Sequence, residues 1–309
     1  MVLQIGLPPT RTRWLLVAGL VVLTPADTFA HGFAGDRFFP ATLLTDDPFV
    51  ADEMSLPTIT RNPTALDRSQ EIDIGASISK TITPDIGITL SDQWKRLQPK
   101  GLPPATGFGA LDAELDYQFF KNDPHEAVAM AGINTSFAHT GRVQALGAPD
   151  FTTVSPVLDF GKGFGDLPES MPWLRPFALT GNLSFDFPTK TESNGASNPN
   201  NFNYGFAFEY SLEYLQHHVK DVGLTAPFDR LIPIVEVSFT TPLNRVPEGQ
   251  TIGTIQPGVI WAGDYMQVGA EAIIPANGDT GRGFGGLIQL HFYLDDLFPS
   301  TIGRPLLEF

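Results

Sequence analysis

The sequence predicts an all-β chain: a single antiparallel transmembrane β-barrel of about twelve strands, preceded by an irregular N-terminal segment. Three observations lead there. Segment after segment between Gln70 and Asp295 alternates apolar and polar side chains, and breaks rich in Pro, Gly, Asn and Asp separate these segments. Charged residues make up only 17% of 309, against about 25% in soluble proteins. Yet no run reaches the ~18 consecutive apolar residues of a membrane helix.

Residues 1–30 read as a secretory signal: Arg11 and Arg13 form a basic end, Trp14 to Leu23 an apolar core, and Thr28-Phe29-Ala30 a small-residue site that predicts cleavage before His31. Loss of Arg11, Arg13 and Asp27 takes the formal charge from −15 to −16. Such a chain argues against nucleic acid as a partner, because phosphates need Lys and Arg. The absence of cysteine removes disulfides, thiolate catalysis, Cys-ligated zinc and a lipidated N-terminal cysteine.

The barrel is expected over residues 70–296. In residues 70–82, Ile72, Ile74, Ala76 and Ile78 point one way and Glu71, Asp73, Ser77 and Ser79 the other, the side-chain period of a strand. Thr83-Pro84-Asp85 turns the chain into a second strand at 86–97. Leu111, Ala113, Leu115, Tyr117 and Phe119 alternate with Asp112, Glu114, Asp116 and Gln118 along 107–121. After Asn122-Asp123-Pro124-His125 come strands at 126–137, 150–160 and 175–187, the last with Phe177, Leu179, Leu183 and Phe185 opposite Thr180, Asn182, Ser184 and Asp186. Residues 203–215 set Tyr204, Phe206, Phe208, Tyr210, Leu212 and Tyr214 against Glu209, Ser211 and Glu213. Strands at 230–241, 251–262, 265–275 and 283–295 complete the series, the last with Leu290, Phe292 and Leu294 toward lipid and Gln289, His291 and Asp295 inward.

These are eleven strands, whereas single-chain bacterial barrels have even numbers. Short turns alternate with longer loops so that the last strand ends on the short-turn side, and the missing strand is expected first, at Met54 to Arg61, with residues 301–309 as the alternative. The tail at 297–309 closes the chain. Trp94, Tyr117, Tyr204, Tyr214, Trp261 and Tyr265 near strand ends fit interfacial girdles. A terminal Phe309 fits the address read by the outer-membrane assembly machinery. The expected location is the bacterial outer membrane, with its lipid as a partner.

Several stretches resemble the bacterial outer-membrane family named for the meta-pathway of phenol degradation. They are Gly107-Phe108-Gly109 leading to Tyr117-Gln118-Phe119-Phe120, and Gly161-Lys162-Gly163-Phe164-Gly165-Asp166-Leu167-Pro168 followed by Arg175-Pro176-Phe177. Pro257-Gly258-Val259-Ile260-Trp261 and Glu271-Ala272-Ile273-Ile274-Pro275 continue the order, so the resemblance covers residues 70–296. It implies a barrel that passes small, often aromatic or hydrophobic compounds. It implies no catalytic residues.

The inward faces are expected to carry Glu71, Asp73, Asp112, Glu114, Asp116, Asp186, Glu209, Glu213, Glu236, Glu271, His291 and Asp295. Solvated in a lumen, such carboxylates favour cations and repel anions. The reading is therefore a passive channel for small organic solutes, not an enzyme, without cofactor or resident metal. The alternatives are a non-conducting adhesion or structural barrel, with the polar loop at 188–202 as contact site, and a barrel hydrolase in which an acid near His291 orients a nucleophile. The α-amine and imidazole of a mature His31 would suit Cu(II), and Asp46, Asp47, Asp52 and Glu53 offer oxygens for Ca²⁺, but without EF-hand spacing. The same segment carries Phe38, Phe39, Pro40 and Phe49, which fits packing as a plug. Gly281-Arg282-Gly283-Phe284-Gly285-Gly286 matches a dinucleotide fingerprint but precedes a strand rather than a helix, which excludes that chemistry.

Overall fold

The structure, a computed structural model, describes residues 32–307 apart from 46, 143–145, 147–148, 194 and 247–249. The expected signal segment with its cleavage point, His31, Asp46 and Phe309 lie outside the described residues.

Twelve antiparallel strands close into one barrel. In chain order they are β1 (Glu53–Arg61), β2 (Gln70–Thr83), β3 (Ile86–Gln98), β4 (Asp112–Asn122), β5 (Ala127–Ser136) and β6 (Thr153–Gly163). The second half is β7 (Phe177–Pro188), β8 (Asn201–Tyr210), β9 (Leu231–Pro242), β10 (Ile252–Ala262), β11 (Met266–Pro275) and β12 (Gly285–Tyr293). Each pairs with the next, and β12 closes on β1 from Tyr293↔Glu53 to Gly286↔Arg61. Closure leaves no edge of unpaired backbone, the condition for crossing hydrocarbon with strands.

The side-chain alternation is inverted relative to a soluble sheet. Leu115, Ile133, Phe208 and Ile288 are more than half exposed on the outside, while Asp159, Thr180, Glu236, Gln256 and Gln267 are fully buried within. Apolar side chains outside and polar ones inside suit a barrel solvated by lipid. Leu115→Arg is therefore expected to destabilise the barrel by about 2–4 kcal/mol if it lies near the bilayer midplane, measured by urea unfolding in phospholipid. An unchanged stability would remove that face from the lipid.

Tight turns join β2 to β3, β4 to β5 and β10 to β11 at one end, where residues 32–52 also enter. Short turns mark the periplasmic end. Two longer connections, 164–176 and 211–230, lie there as well. The opposite end carries the connections at 62–69, 99–111, 137–152, 189–200, 243–251 and 276–284.

The structure corrects several expected bounds. The strand expected at 107–121 divides: Ala105–Phe108 pairs with the outer end of β3, and β4 takes over from Asp112. The strand expected at 150–160 runs from Thr153 to Gly163. β8 ends at Tyr210, opposite the start of β7 at Phe177. Ser211 then caps a helical turn, its hydroxyl accepting from the Tyr214 amide at 3.1 Å, and residues Leu212–Val219 continue as helix. Leu212 and Tyr214 therefore do not face lipid, and Glu213 is exposed at the periplasmic end rather than lining the lumen. β12 ends at Tyr293, so Leu294 and Asp295 begin a short helix at the periplasmic rim; Leu294 is buried and Asp295 half-buried there. Residues 301–307 form no strand; instead the Leu306 and Leu307 amides donate to the carbonyls of Thr81 and Ile82 (3.1 and 2.8 Å).

Candidate functional site

The register brings inward residues of successive strands into rows, because directly opposite residues share a face. One row runs His291, Ser55, Ser77, Ser91, Asp112 and Ser136 across β12, β1, β2, β3, β4 and β5. The next runs Glu53, Ser79, Thr89, Glu114 and Asn134. Hydroxyls thus line β1–β3, one quarter of the wall, and carboxylates the adjoining strand β4. Asp112, Glu114 and Asp116 share one face of β4 at the two-residue period of a strand. Asp116 lies over Gly132, where a Cβ would come within 2.0 Å of Oδ1.

Residues 32–52 fold into the lumen, and two carboxylates of the barrel hold them. The first is Glu126, in the turn after β4. Its Oε2 lies 3.3 Å from Arg37 Nε and accepts from the Gly165 amide at 2.9 Å, while its Oε1 accepts from the Tyr214 hydroxyl at 2.8 Å. Arg37 also donates to the carbonyls of Pro176 (3.0 Å) and Arg175, and its guanidinium stacks 3.7 Å from the Tyr214 ring centroid. Arg37 and Glu126 are 1% and 5% exposed, so each is the other's main compensation for lost water. Burial, then the hydrogen bond to Glu126, pushes the Tyr214 phenol up to about 12, which keeps it a donor at neutral pH. His218 stacks on the same ring at 4.6 Å.

The second is Glu236 on β9. Its carboxylate accepts from three consecutive amides, Leu43 and Leu44 at 2.8 Å and Thr45 at 3.3 Å. Thr42 closes this turn by donating to the Thr45 carbonyl, and Gln267, which accepts from Tyr293 at 3.0 Å, donates to the Ala41 carbonyl. Leu43 packs among Ala207, Ile232, Ile234, Ile260, Ala262, Ile273 and Leu287. Close approach here needs glycine in the wall: a Cβ at Gly269 would meet Leu43 at 2.7 Å, and one at Gly205 would meet Thr45 Cγ2 at 2.5 Å. Asp52 ties the exit of the segment to Lys80 (2.8 Å) and to the Thr81 amide (2.7 Å).

Beside this plug a cavity of about 370 Å³ remains, bounded by residues 41–45, Asp47 and Phe49 and by the β12–β5 arc of the wall. Asp112, Glu114, Asp116 and His291 line it. Glu209, Glu236 and Glu271 are instead buried at the opposite wall (2%, 0% and 6% exposed), so the expectation of fully solvated lumen carboxylates does not hold for them. Glu209 meets Thr180 at 3.4 Å. Neither carboxyl oxygen of Glu271 has a hydrogen-bond partner among the described residues. Glu71 pairs with Lys95 (2.9 Å), Asp73 accepts from Asn62 (2.9 Å), and Asp186 accepts from Ser155 (2.8 Å) near the outer ends of their strands. The acid beside His291 is Glu53, 3.1 Å from Nε2, while Ser55 Oγ lies 2.9 Å from Nδ1. This chain spans the register shift between β12 and β1. Among the described residues no group of three or more His, Asp or Glu is placed to hold a metal.

Sequence reading misses Arg37, Glu126 and Tyr214 as a set, since 89 positions separate the first two. The local signal was present: one arginine among Phe33, Phe38 and Phe39, in an otherwise acidic segment.

No protein-family model matches the sequence, and no curated protein matches it. Among solved structures, the NanC porin aligns at 8% identity over 77% of this chain and 98% of its own, with a TM-score of 0.48. The KdgM porin aligns at 9% identity over 77% and 98%, with a TM-score of 0.45. An outer-membrane channel from Pseudomonas putida F1 aligns at 11% identity, over 83% of this chain and 99% of that one, with a TM-score of 0.54. The chain thus has the fold of that outer-membrane channel: a closed twelve-stranded barrel with an apolar exterior and a polar bore.

Proposed function

We propose that this chain is an outer-membrane channel for passive diffusion of small organic solutes, with residues 32–52 narrowing its lumen. The observation that carries this reading is the unfilled polar cavity of about 370 Å³ beside the plug. A small barrel serving only as a scaffold fills its interior with side chains. The carboxylates of β4 set a field that attracts cations and repels anions. The ordered resemblance to the phenol meta-pathway barrels adds aromatic or hydrophobic compounds to the solute range. Purified full chain in planar bilayers is expected to give cation-preferring conductance, larger in a variant lacking residues 32–45. Silence of both proteins would overturn the reading.

One observation favours a second reading, a non-conducting surface barrel: the plug is pinned through buried groups at Arg37 and Glu236. The loop at 189–200, which carries a small hairpin of Glu192–Ser193 with Ala196–Ser197, would then be the contact site. Its deletion would abolish partner binding and leave permeability unchanged.

A further inference from the structure

We propose that the cavity between the plug and the β1–β5 wall is a binding station for a hydroxylated organic cation, a compound carrying a primary ammonium and several hydroxyls. The inference deepens the channel reading and rests on it.

Six of the lining residues are carboxylates: Asp47, Glu53, Asp92, Asp112, Glu114 and Asp116. The described lining contains no lysine or arginine. The lysine on the same face of β3, Lys95, is paired with Glu71 at 2.9 Å. A carboxylate cluster alone would suit mobile inorganic cations equally well. Two further features point to one organic solute. Beside the β4 acids the wall presents hydroxyls at Ser55, Thr58, Ser77, Ser79, Thr89 and Ser91. Each such group both donates and accepts, so the row matches a solute that does the same. At the β12 end of this row, Gln289 is 7% exposed and lines the cavity; its amide nitrogen donates to Thr58 at 3.1 Å, yet its buried Oε1 has no hydrogen-bond partner among the described residues. An unmet buried acceptor is destabilising, and a ligand N–H or O–H at that point removes the cost.

Size separates the occupants. A cavity of about 370 Å³ lies in the range of small-molecule sites, ~300–1,000 Å³, and far exceeds a bare ion. A quaternary ammonium would call for a cage of aromatic faces, whereas Phe49 is the one aromatic residue in the described lining. An N–H3⁺ group toward the β4 carboxylates, with hydroxyls toward β1–β3, satisfies both sets of groups.

The test uses the full chain in detergent with glucosamine as the probe and glucose as its neutral counterpart, at fixed ionic strength, read by calorimetric titration. Glucosamine is expected to bind saturably and at least tenfold more tightly than glucose. The pair Glu114→Gln with Asp116→Asn is expected to weaken glucosamine at least tenfold. Gln289→Met, which keeps the side-chain length and removes the acceptor, is expected to weaken it severalfold while heat-modifiable mobility on gels stays that of the folded barrel. Equal affinity for the two sugars, no saturable binding of either, or full affinity in the folded Glu114/Asp116 double variant would overturn the proposal. Binding by a protein that shows no conductance would support the station and reject the channel; conductance without glucosamine binding would do the reverse.

Discussion

Replacing Arg37 by alanine is expected to free the plug. The substitution leaves Glu126 buried without its ion-pair partner, with the Gly165 amide and the Tyr214 hydroxyl as its remaining described hydrogen-bond partners. Breaking a buried ion pair from one side costs about 3–5 kcal/mol. The same change removes the stacking on Tyr214 and the donors to the Arg175 and Pro176 carbonyls. None of these contacts joins two barrel strands, so the loss falls on docking rather than on the wall. The docked-to-undocked ratio should fall on the order of a hundredfold or more, read as a rise in open-channel probability with an unchanged barrel melting transition. Arg37→Lys should recover little, since a lysine cannot stack on Tyr214 and reach both carbonyls in a planar fork. A wild-type conductance trace from Arg37→Ala would show that this latch does not control the lumen.

Glu236→Gln is expected to release the tip of the plug while leaving its base in place. One oxygen of Glu236 serves Leu43 and the other serves Leu44 and Thr45. A glutamine keeps one acceptor and turns an NH2 group toward donors, so amides on one side of the turn lose their partner. Hydrogen bonds to a charged group contribute about 1.5–3 kcal/mol each. Amide exchange within Leu43–Thr45 should therefore accelerate by about tenfold or more, whereas the Gly35 amide, bonded to Asp123 at 2.9 Å in the base, should keep its protection. Equal acceleration at both places would mean that the segment docks as one unit.

The physical basis of the fold lies mostly within reach of local pattern. The strands at Gln70–Thr83 and Phe177–Pro188 are legible because one face meets lipid and the other does not, so every second residue reports its side. β1 is faint for a stated reason: its register shifts between Ser55 and Thr58 against β2, so two inward residues stand three positions apart and the period is lost. Residues 212–214 mislead because Leu212 and Tyr214 prolong the alternation of β8; the Ser211 cap ends the strand. The site is half legible. Asp112, Glu114 and Asp116 follow from their spacing, and they line the cavity. The burial of Glu236 does not follow, because its partners lie more than 190 positions earlier in a segment without periodicity. Long-range docking of an irregular segment leaves no trace in a side-chain period.

The most direct test of the plug inside the barrel uses a chain that has no native cysteine. A Cβ at Gly205 would lie 3.7 Å from the Cβ of Thr45, within the roughly 3.5–4.5 Å that a disulfide spans. In the double variant Thr45→Cys with Gly205→Cys, mild oxidation of the folded protein should give a near-quantitative intramolecular disulfide, visible as a mobility shift that reductant reverses. Failure of that bond to form in a correctly folded barrel, with both thiols reactive toward a soluble maleimide, would place residues 41–49 outside the lumen.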